Sequence, residues 1–438
     1  MYYKRKIDTE LLLWRKEERR KPLLLRGARQ VGKSSAVREL AKQFEYFVEV
    51  NFESQRQLHA AFSGDINPRN ISNDISLYLN VPVIPGKTLL FFDEIQACPA
   101  AISSLRFFYE QYPELHVIAA GSLLEFALGD LPSFGVGRIR SIFMYPFSFY
   151  EFLSASGEDL LLKAVKTASP QQPLSDIIHS KLNSLLKQFL IIGGMPEVVS
   201  NYVESKNILS CQKILDDLLT SLQADFSKYR VRVQPVLINE VFSSVVRQSG
   251  YRFVYSRAVP EIGLRQIKDA LELLIMADLV IPVSHTSANG LPLGAETDSG
   301  KRKMLLLDTG LFQRISGLKI SDLLLSDDFN VINKGALAEQ FAGLELLKSS
   351  SCYQREKLYY WHREARSSNA EVDYLMQKDD TILPIEIKSG KSGSMQSLFL
   401  FLKEKGLKLG VRSSMENFSS YDKIEVYPLY ALSNINKT

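Results

Sequence analysis

The segment Gly27–Ser34, with the sequence GARQVGKS, constrains this 438-residue chain more than any other feature. It fits the pattern G-x-x-x-x-G-K-[ST] and stands between the apolar run PLLLR (22–26) and a helix-like stretch from about Lys33 to Phe44. Glycines at these positions let a loop turn with its backbone N–H groups pointing inward at a phosphate, and the N-terminus of the next helix adds partial positive charge. The segment therefore predicts a phosphate-binding loop (P-loop); a glycine-rich turn without a ligand is the alternative.

Two residue types in this loop have distinct chemical tasks. The Lys33 ammonium would reach the β- and γ-phosphates of a nucleotide, and the Ser34 hydroxyl would ligate Mg²⁺. The remaining loop residues would cradle the phosphates with their backbone. The predicted nucleotide-binding residues of the loop are Gly27, Ala28, Arg29, Gln30, Val31, Gly32, Lys33, Ser34 and Ser35.

Polar residues end two further apolar strands. KTLLFFDE (87–94) ends in Asp93 and Glu94, and HVIAAGS (116–122) ends in Ser122. Ligands of open α/β sheets bind at the C-terminal ends of the strands. Asp93 would therefore hold Mg²⁺, Glu94 would polarise the attacking water, and Ser122 would sense the γ-phosphate of ATP. The alternation of strands and helices predicts a doubly wound parallel sheet.

Five stretches carry a wider resemblance. They are RGARQVGKSS, LLFFDEIQ, VIAAGS, VGRIRSIFMYPFSFYEF and FLIIGGMPEVV. Together they resemble the bacterial and archaeal AAA+ family ATPases whose C-terminal half is a domain long known only as one of unknown function. The phosphate-loop and DE stretches are generic to the superfamily, whereas PFSFYEF and GGMPEVV are specific to this family. The resemblance covers nearly the whole chain and implies ATP and Mg²⁺ as ligands of an AAA+-like α/β domain with a helical lid.

The resemblance also implies an arginine near the γ-phosphate. Arg138 or Arg140 would act as an arginine finger, in the same chain or from a neighbouring subunit of a homo-oligomer. A surface arginine is the alternative. Gly193, Gly194 and Pro196 resemble a turn in a lid that packs near the adenine, and a plain turn between two helices explains them as well.

The middle of the chain changes its pattern twice. Residues 150–225 have mostly helical periodicity, and 236–311 follow the order helix, turn, helix and hairpin, which is typical of a winged helix. The segment 226–270 contains eight Lys and Arg against three Asp and Glu, with Tyr and Phe among them, although the whole chain carries only +4. Such a local basic face favours duplex DNA as a partner. A winged helix that packs against protein, with a solvated basic face, is the alternative.

The C-terminal part contains a second group of polar candidate site residues. A helix over 334–347 contains Glu339, the strand AEVDYLMQ contains Asp373, and the strand ILPIEIKSG contains Glu386 and Lys388 on one face. This order is that of PD-(D/E)xK nucleases and resembles the restriction-endonuclease-like fold. Asp373, Glu386 and Glu339 would hold one or two Mg²⁺ ions, and Lys388 would position or activate a water. Inert ion pairs, or a nuclease fold that only binds, are the alternatives.

These patterns divide the chain into four predicted domains. They are an α/β P-loop ATPase domain (1–150), a helical lid (151–228), a winged-helix domain (229–325) and a C-terminal α/β restriction-endonuclease-like domain (326–438). The predicted function is ATP binding and hydrolysis by an AAA+-type protein that acts on DNA. Its rivals are an ATP-regulated binding switch without nuclease activity and a signalling ATPase that binds another protein. Glu94 and Ser122 favour water over a substrate hydroxyl as the phosphate acceptor, which disfavours a P-loop kinase.

Cysteine usage and hydropathy bear on the compartment. The three cysteines, Cys98, Cys211 and Cys352, form no CxxC pair, so a disulfide framework and a structural zinc site are not expected. The sequence contains no signal-peptide pattern and no apolar run of about 18 residues. We therefore expect a soluble, cytoplasmic protein with no membrane partner.

Overall fold

The chain forms two compact units, described here from a computed structural model. The described residues are 1–129, 135, 137–229, 233–318, 334–363, 370–390 and 394–437. The first unit comprises Met1–Pro146, Met276–Asp278 and Ser351–Arg355, and the second comprises Phe147–Ile275, Leu279–Ser350 and Glu356–Thr438. Within the described part of the chain, no helix is long and apolar enough to cross a membrane.

The first unit is built on a five-stranded parallel sheet. Its strands are β1 (Leu23–Arg26), β2 (Tyr46–Asn51), β3 (Thr88–Asp93), β4 (His116–Ala120) and β5 (Arg140–Phe143). Its helices are α1 (Lys6–Arg15), α2 (Lys33–Ala41), α3 (Pro68–Leu79), α4 (Pro99–Gln111) and α5 (Leu124–Gly129). The strand order β2-β3-β4-β1-β5 confirms the predicted parallel α/β sheet and sets β4 between β1 and β3. The C-terminal ends of these three strands therefore stand side by side.

Aromatic packing fixes the end of β3. Phe92 contacts the rings of Phe52, Phe62 and Phe108, with centroids 5.6, 5.6 and 5.9 Å apart. All six residues of β3 are buried, as expected of a central parallel strand. Because Asp93 directly follows Phe92, this cluster also fixes the position of the Asp93 backbone.

The second unit contains the remaining helices and strands. Its helices are α6 (Phe149–Ala155), α7 (Asp159–Thr167), α8 (Asp176–Ile192), α9 (Pro196–Ser205), α10 (Ile208–Asp225), α11 (Pro235–Arg247), α12 (Leu264–Met276), α13 (Thr309–Ser316), α14 (Lys334–Ser349) and α15 (Gln396–Glu404). Its strands are β6 (Val280–Thr286), β7 (Thr297–Leu306), β8 (Leu358–His362), β9 (Glu371–Lys378), β10 (Thr381–Ile387), β11 (Gly410–Ser414), β12 (Ser419–Tyr421) and β13 (Ile424–Pro428). The helical character predicted for 150–225 is confirmed by α6–α10.

One eight-stranded mixed sheet spans the predicted winged-helix and nuclease-like regions. Its strand order is β12-β13-β11-β10-β9-β8-β6-β7. The predicted order of helix, helix and hairpin is present as α11, α12, β6 and β7, but β6 also pairs with β8 in parallel. The hairpin is therefore continuous with the C-terminal sheet across the predicted boundary at 325. Strand β7 begins at Thr297, and its first residues are polar and largely exposed, which an edge strand tolerates.

The GGMP stretch is a close-packed turn between α8 and α9. Gly193 has a φ of 74°, and a Cβ atom there would lie 2.1 Å from the Asp308 Oδ1 atom. The Gly194 N–H donates to Asp308 Oδ2 at 2.6 Å, while the N–H groups of Gly310 and Leu311 donate to Asp308 Oδ1 at 2.8 and 3.1 Å. Asp308 thus caps α13 and clamps the turn, which explains Gly193. A Cβ atom at Gly194 would lie 2.3 Å from the Phe147 carbonyl oxygen, so packing explains both glycines without a nucleotide.

Replacing Asp308 tests this clamp. Asp308→Ala removes the acceptor of three buried backbone N–H groups and the cap of α13. We expect the free energy of unfolding to fall by about 2–4 kcal/mol, measured by urea denaturation.

The matched control removes an exposed carboxylate that contacts the same helix. Asp216 pairs with Arg314 of α13 at 2.7 Å, and both side chains are partly exposed. Asp216→Ala should cost less than about 1 kcal/mol. Equal losses in the two variants would contradict the clamp.

Candidate functional site

The predicted phosphate loop joins β1 to α2 and is shaped by two glycines. Gly27 has a φ of 136°, and a Cβ atom there would lie 2.1 Å from the carbonyl oxygen of Met144. Gly32 has a φ of 99° and directly precedes Lys33, the first residue of α2. Residues with a side chain rarely adopt these backbone angles, so the glycine spacing of the motif is a requirement of the loop conformation.

The other predicted loop residues lie between and after these glycines. Ala28 and Val31 are buried, Arg29 is half-buried, and Gln30 is exposed with a φ of 62°. Ser35 is exposed on the first turn of α2. The backbone of this loop, rather than its side chains, is therefore the part suited to cradle a phosphate.

Arg5 supports the loop from the N-terminal segment. Its side chain is buried, and its Nη1 and Nη2 atoms donate to the carbonyl oxygens of Val31 and Tyr145 at 3.3 and 2.7 Å. This residue was not predicted from the sequence because it lies in a charged N-terminal stretch. Nothing in the local pattern separates Arg5 from its solvated neighbours.

Lys33 lies folded into the loop. Its Nζ atom donates to the carbonyl oxygens of Gly27 and Ala28 at 2.8 and 2.7 Å. Burial lowers the pKa of Lys33 to about 8, although the carboxylates of Glu94 and Asp93 oppose this shift. Both of these hydrogen bonds go to neutral oxygens. Phosphate oxygens would be far better partners for the ammonium because they are charged.

Ser34 and Asp93 meet as predicted for a magnesium site. The Ser34 hydroxyl lies 3.0 Å from both carboxylate oxygens of Asp93. Burial raises the pKa of Asp93, and the hydrogen bond from Ser34 opposes this rise. A hydroxyl and a carboxylate at the end of a phosphate loop are oxygen ligands that Mg²⁺ accepts beside nucleotide phosphates, so the residues fit this ion.

The predicted catalytic Glu94 is held by two side chains. Its backbone has a φ of 47°, and Gln96 Nε2 donates to Glu94 Oε2 at 2.6 Å. The Ser122 hydroxyl approaches the same oxygen at 3.4 Å. A Cβ atom at Gly121 would lie 2.1 Å from Gln96 Oε1, so this glycine leaves room for the amide. Gln96 was not predicted from the sequence, although its place two residues after Glu94 was a usable signal.

The two candidate arginine fingers are engaged in ion pairs. Arg138 Nε lies 2.6 Å from Glu110 Oε1, and Arg140 Nη1 lies 2.5 Å from Glu17 Oε1. The Arg138 side chain is half exposed, whereas that of Arg140 is more buried. Either arginine would have to leave its carboxylate before it contacted a phosphate.

The second predicted site is brought together in the second unit. Glu339 lies on α14, Asp373 on β9 and Glu386 on β10. Asp373 Oδ2 accepts a hydrogen bond from the Ile387 N–H at 2.8 Å, and Lys388 Nζ donates to Glu386 Oε1 at 2.6 Å. The order of residues predicted from the PD-(D/E)xK pattern therefore matches one local cluster.

A lysine that was not predicted from the sequence lies in this cluster. Lys303 of β7 places its Nζ atom 2.7 Å from Glu339 Oε1, 2.5 Å from Glu371 Oε1 and 3.8 Å from Asp373 Oδ1. Its side chain is 2% exposed. Glu371 was not predicted either, although its spacing of two residues from Asp373 on one strand puts both on the same face.

The charges in the cluster perturb one another strongly. Burial lowers the pKa of Lys303, but the carboxylates of Glu339, Asp373 and Glu371 raise it well above the usual value. Burial raises the pKa of Glu339 to about 7, against the effect of Lys303. Burial and the charge of Asp373 raise the pKa of Glu386 to about 8. Among the described residues, no group of three or more His, Cys, Asp and Glu side chains has the geometry to hold a metal ion.

The basic segment 226–270 presents a mixed surface. Its exposed cations among the described side chains are Arg247, Arg252, Arg257, Arg265 and Lys268. Tyr251, in the same segment, is 76% exposed. Arg247 also donates to the Ala258 carbonyl oxygen at 3.3 Å. Three predicted members, the side chain of Lys228 and the residues Arg230 and Arg232, lie outside the described residues.

The fold and the first site define a P-loop ATPase fold of the AAA type. Residues 19–153 match the family model described as AAA domain. Residues 183–322 and 334–432 match two domains of unknown function, DUF8612 and DUF4143. The chain therefore carries an N-terminal AAA domain and a C-terminal DUF4143 domain. No curated protein gives a significant match to the chain.

Several solved structures are distantly similar. The Walker-type ATPase PABY2304 of Pyrococcus abyssi is 16% identical, with 72% of this chain and 96% of that chain covered and a TM-score of 0.46. The ORC1 protein of Aeropyrum pernix, solved in complex with DNA, is 14% identical, with coverages of 74% and 95% and a TM-score of 0.29. PCH-2 of C. elegans is 17% identical, with coverages of 47% and 63% and a TM-score of 0.26. Because all three TM-scores lie below 0.5, these likenesses carry no argument about function.

The contact of Gln96 with Glu94 generates a prediction. Gln96→Ala should lower kcat for ATP about 10- to 100-fold because Glu94 loses the donor that orients it. The KM for ATP should stay within about twofold, since Gln96 is not part of the phosphate loop. Steady-state hydrolysis with Mg²⁺ measures both constants.

The control is Gln43→Ala, which removes an exposed glutamine side chain of the same unit. This variant should hydrolyse ATP at the rate of the unmodified protein. A change in KM alone for Gln96→Ala would show that Gln96 acts in binding and not in positioning Glu94.

Proposed function

We propose that this chain hydrolyses ATP at the site formed by Gly27–Ser34, Asp93 and Glu94. The observation that carries this proposal is the meeting of Ser34 and Asp93 at 3.0 Å, beside a buried Lys33 whose partners are backbone carbonyls. These three side chains are what a magnesium–nucleotide complex requires from a phosphate loop.

Each group in this site has a role in the proposed reaction. Lys33 would exchange the carbonyls of Gly27 and Ala28 for oxygens of the β- and γ-phosphates. Ser34 and Asp93 would hold Mg²⁺, which neutralises charge on the phosphates when bound. Glu94 would orient the attacking water.

Two further roles are proposed beside the loop. Ser122 and Gln96 would hold the Glu94 carboxylate in place through the contacts described above. Arg138 or Arg140 would contact the γ-phosphate after leaving its carboxylate partner. An arginine that acts from a neighbouring subunit would require a homo-oligomer.

We further propose that the second unit binds duplex DNA. Five exposed cations lie in one sequence segment together with the exposed ring of Tyr251, a combination suited to phosphates and bases. In this proposal α11, α12 and the β6–β7 hairpin form the winged helix, and the region after 325 is nuclease-like in arrangement. The predicted regions, ending at about 150, 228, 325 and 438, would then differ in their roles, although one sheet joins the last two regions.

The C-terminal carboxylates do not fit a catalytic metal in their present surroundings. Lys303 occupies the space among Glu339, Glu371 and Asp373, as the distances above describe. Asp373, Glu386 and Lys388 therefore have no role in DNA cleavage in this proposal. We favour an ATP-driven protein that binds DNA without cutting it. This keeps the predicted ATP hydrolysis and action on DNA, and it shares the absence of nuclease activity with the alternative of an ATP-regulated binding switch.

Removing the Lys33 ammonium tests the nucleotide site. Lys33→Ala should reduce ATP hydrolysis at least about 100-fold because the γ-phosphate loses its nearest cation. The measurement is phosphate release with Mg²⁺ at saturating ATP. Hydrolysis at the normal rate in this variant would overturn the proposed site.

Lys42→Ala is the matched control, since Lys42 follows the last residue of α2 and is exposed. It pairs only with the neighbouring Glu39 among the contacts of the described residues, at 2.6 Å. This variant should keep full activity.

Charge reversal tests the proposed DNA surface. The triple variant Arg252→Glu, Arg257→Glu and Arg265→Glu should weaken binding to a random duplex at least about tenfold at low salt. The slope of log affinity against log salt should fall by about 2–3 if all three residues contact phosphates. Fluorescence anisotropy over a range of salt concentrations measures both quantities.

A second triple variant controls for net charge. Lys163, Lys166 and Lys213 are exposed in the same unit but lie outside the basic segment. Their replacement by Glu should reduce the salt slope far less. Equal effects of the two triple variants would show a diffuse charge effect, and no binding by the unmodified protein would favour the signalling rival.

A further inference from the structure

Three carboxylates of the second unit converge on a cation that belongs to the protein itself. We call Glu339, Glu371 and Asp373 the carboxylate cluster. The Lys303 Nζ atom lies 2.5 Å from Glu371, 2.7 Å from Glu339 and 3.8 Å from Asp373. This is the geometry of a central cation with oxygen neighbours on three sides.

The ammonium is well satisfied in this position. It has three N–H donors, and the carboxylates of Glu339 and Glu371 accept two of them at close range. The ring of Tyr360 lies beside it, with its centroid 5.2 Å from Nζ, and an aromatic face attracts a cation. Because a buried charge is costly unless it is paired, Lys303 and the carboxylate cluster stabilise each other.

A divalent ion would compete for the same space. Mg²⁺ binds oxygen ligands at about 2.0–2.1 Å and Mn²⁺ prefers the same ligand types. An ion that close to the oxygens of Glu339 and Glu371 would lie in direct contact with the ammonium and would be repelled by its charge. Metal entry therefore requires the Lys303 side chain to leave, which its 2% exposure and three anionic neighbours oppose.

We propose that Lys303 is a built-in replacement for a divalent metal, so that the carboxylate cluster binds no metal while Lys303 is present. Removal of the ammonium lets the side chains of Glu339, Glu371 and Asp373 move together into a latent divalent-cation site, a geometry that these described residues do not have while Lys303 is in place. This latent site depends on neither ATP hydrolysis nor DNA binding. It also gives a physical reason for DNA to remain uncut if the nuclease-like arrangement binds it.

The test measures Mn²⁺ binding by the full chain. The parent protein carries Asp93→Asn, which removes the expected metal ligand of the nucleotide site, and no nucleotide is added. Mn²⁺ should leave the thermal midpoint of the parent unchanged. In the added variant Lys303→Ala the midpoint should be lower without metal and should rise by about 2–4 °C at Mn²⁺ concentrations about tenfold above the dissociation constant.

Three further variants identify the site. Lys303→Arg keeps a cation and should not respond to Mn²⁺, and Lys303→Ala combined with Glu371→Gln should lose the response. Lys301→Ala removes a lysine two residues away on β7 that pairs with Asp298, and it should behave like the parent. A Lys303→Ala variant that folds but gains no stability from Mn²⁺ would overturn the proposal.

Calorimetric titration of the parent decides the case in which Lys303→Ala fails to fold. The parent should show no Mn²⁺ site with a dissociation constant below about 1 mM. Detection of one such site, abolished by Glu339→Gln, would overturn the proposal. Absence of the site, together with recovery of soluble Lys303→Ala only when Mn²⁺ is present during refolding, would support it.

Discussion

The compensation of buried positive charge organises both candidate sites of this protein. Lys33 and Lys303 are 8% and 2% exposed, and their environments shift their pKa values in opposite directions. Among the described contacts, the hydrogen bonds of Lys33 go to carbonyl oxygens, and burial lowers its pKa to about 8. Lys303 has carboxylates, which raise its pKa well above the usual value. A nucleotide would supply anionic partners to the first ammonium, whereas the second already pairs with carboxylates of the protein.

Two stretches that carry the family resemblance, PFSFYEF and GGMPEVV, have structural explanations in their packing. The GGMP turn fits closely around Asp308, which caps α13. In PFSFYEF, Ser148 caps α6 together with Glu151, and the Phe149 N–H donates to the buried Glu345 carboxylate at 3.1 Å. These two stretches thus join segments that are distant along the chain, whereas the proposed chemistry uses the phosphate-loop and DE stretches.

The sequence predicted what depends on local pattern. The phosphate loop, the apolar strand ending in Asp93 and Glu94, and the helices over 150–225 all follow from spacing and periodicity within short windows. The proximity of Glu339 to Asp373 was also predictable, because the order of a helix with Glu followed by a strand with Asp is that of the nuclease-like pattern. The exposed first half of β7 lacks apolar alternation, so only its buried second half has a sequence pattern typical of a strand.

What the sequence did not predict depends on contacts between distant residues. Arg5 reaches Val31 and Tyr145, and Asp308 reaches Gly194, across separations that no local window contains. Lys303 was not predicted, because its partners Glu339 and Glu371 come much later in the chain. This residue matters most, because its ammonium occupies the space among carboxylates two of which were predicted to hold a metal ion.

A single assay tests the nucleotide site and the C-terminal cluster together. ATP hydrolysis by the unmodified chain is measured with and without linear duplex DNA in Mg²⁺ or Mn²⁺, and the DNA is then inspected on a gel. We predict that ATP is hydrolysed, that DNA raises the rate, and that the DNA remains intact with either metal. Absence of hydrolysis would contradict the proposed nucleotide site. DNA cuts that disappear in Asp373→Ala would contradict the replacement of the catalytic metal by Lys303.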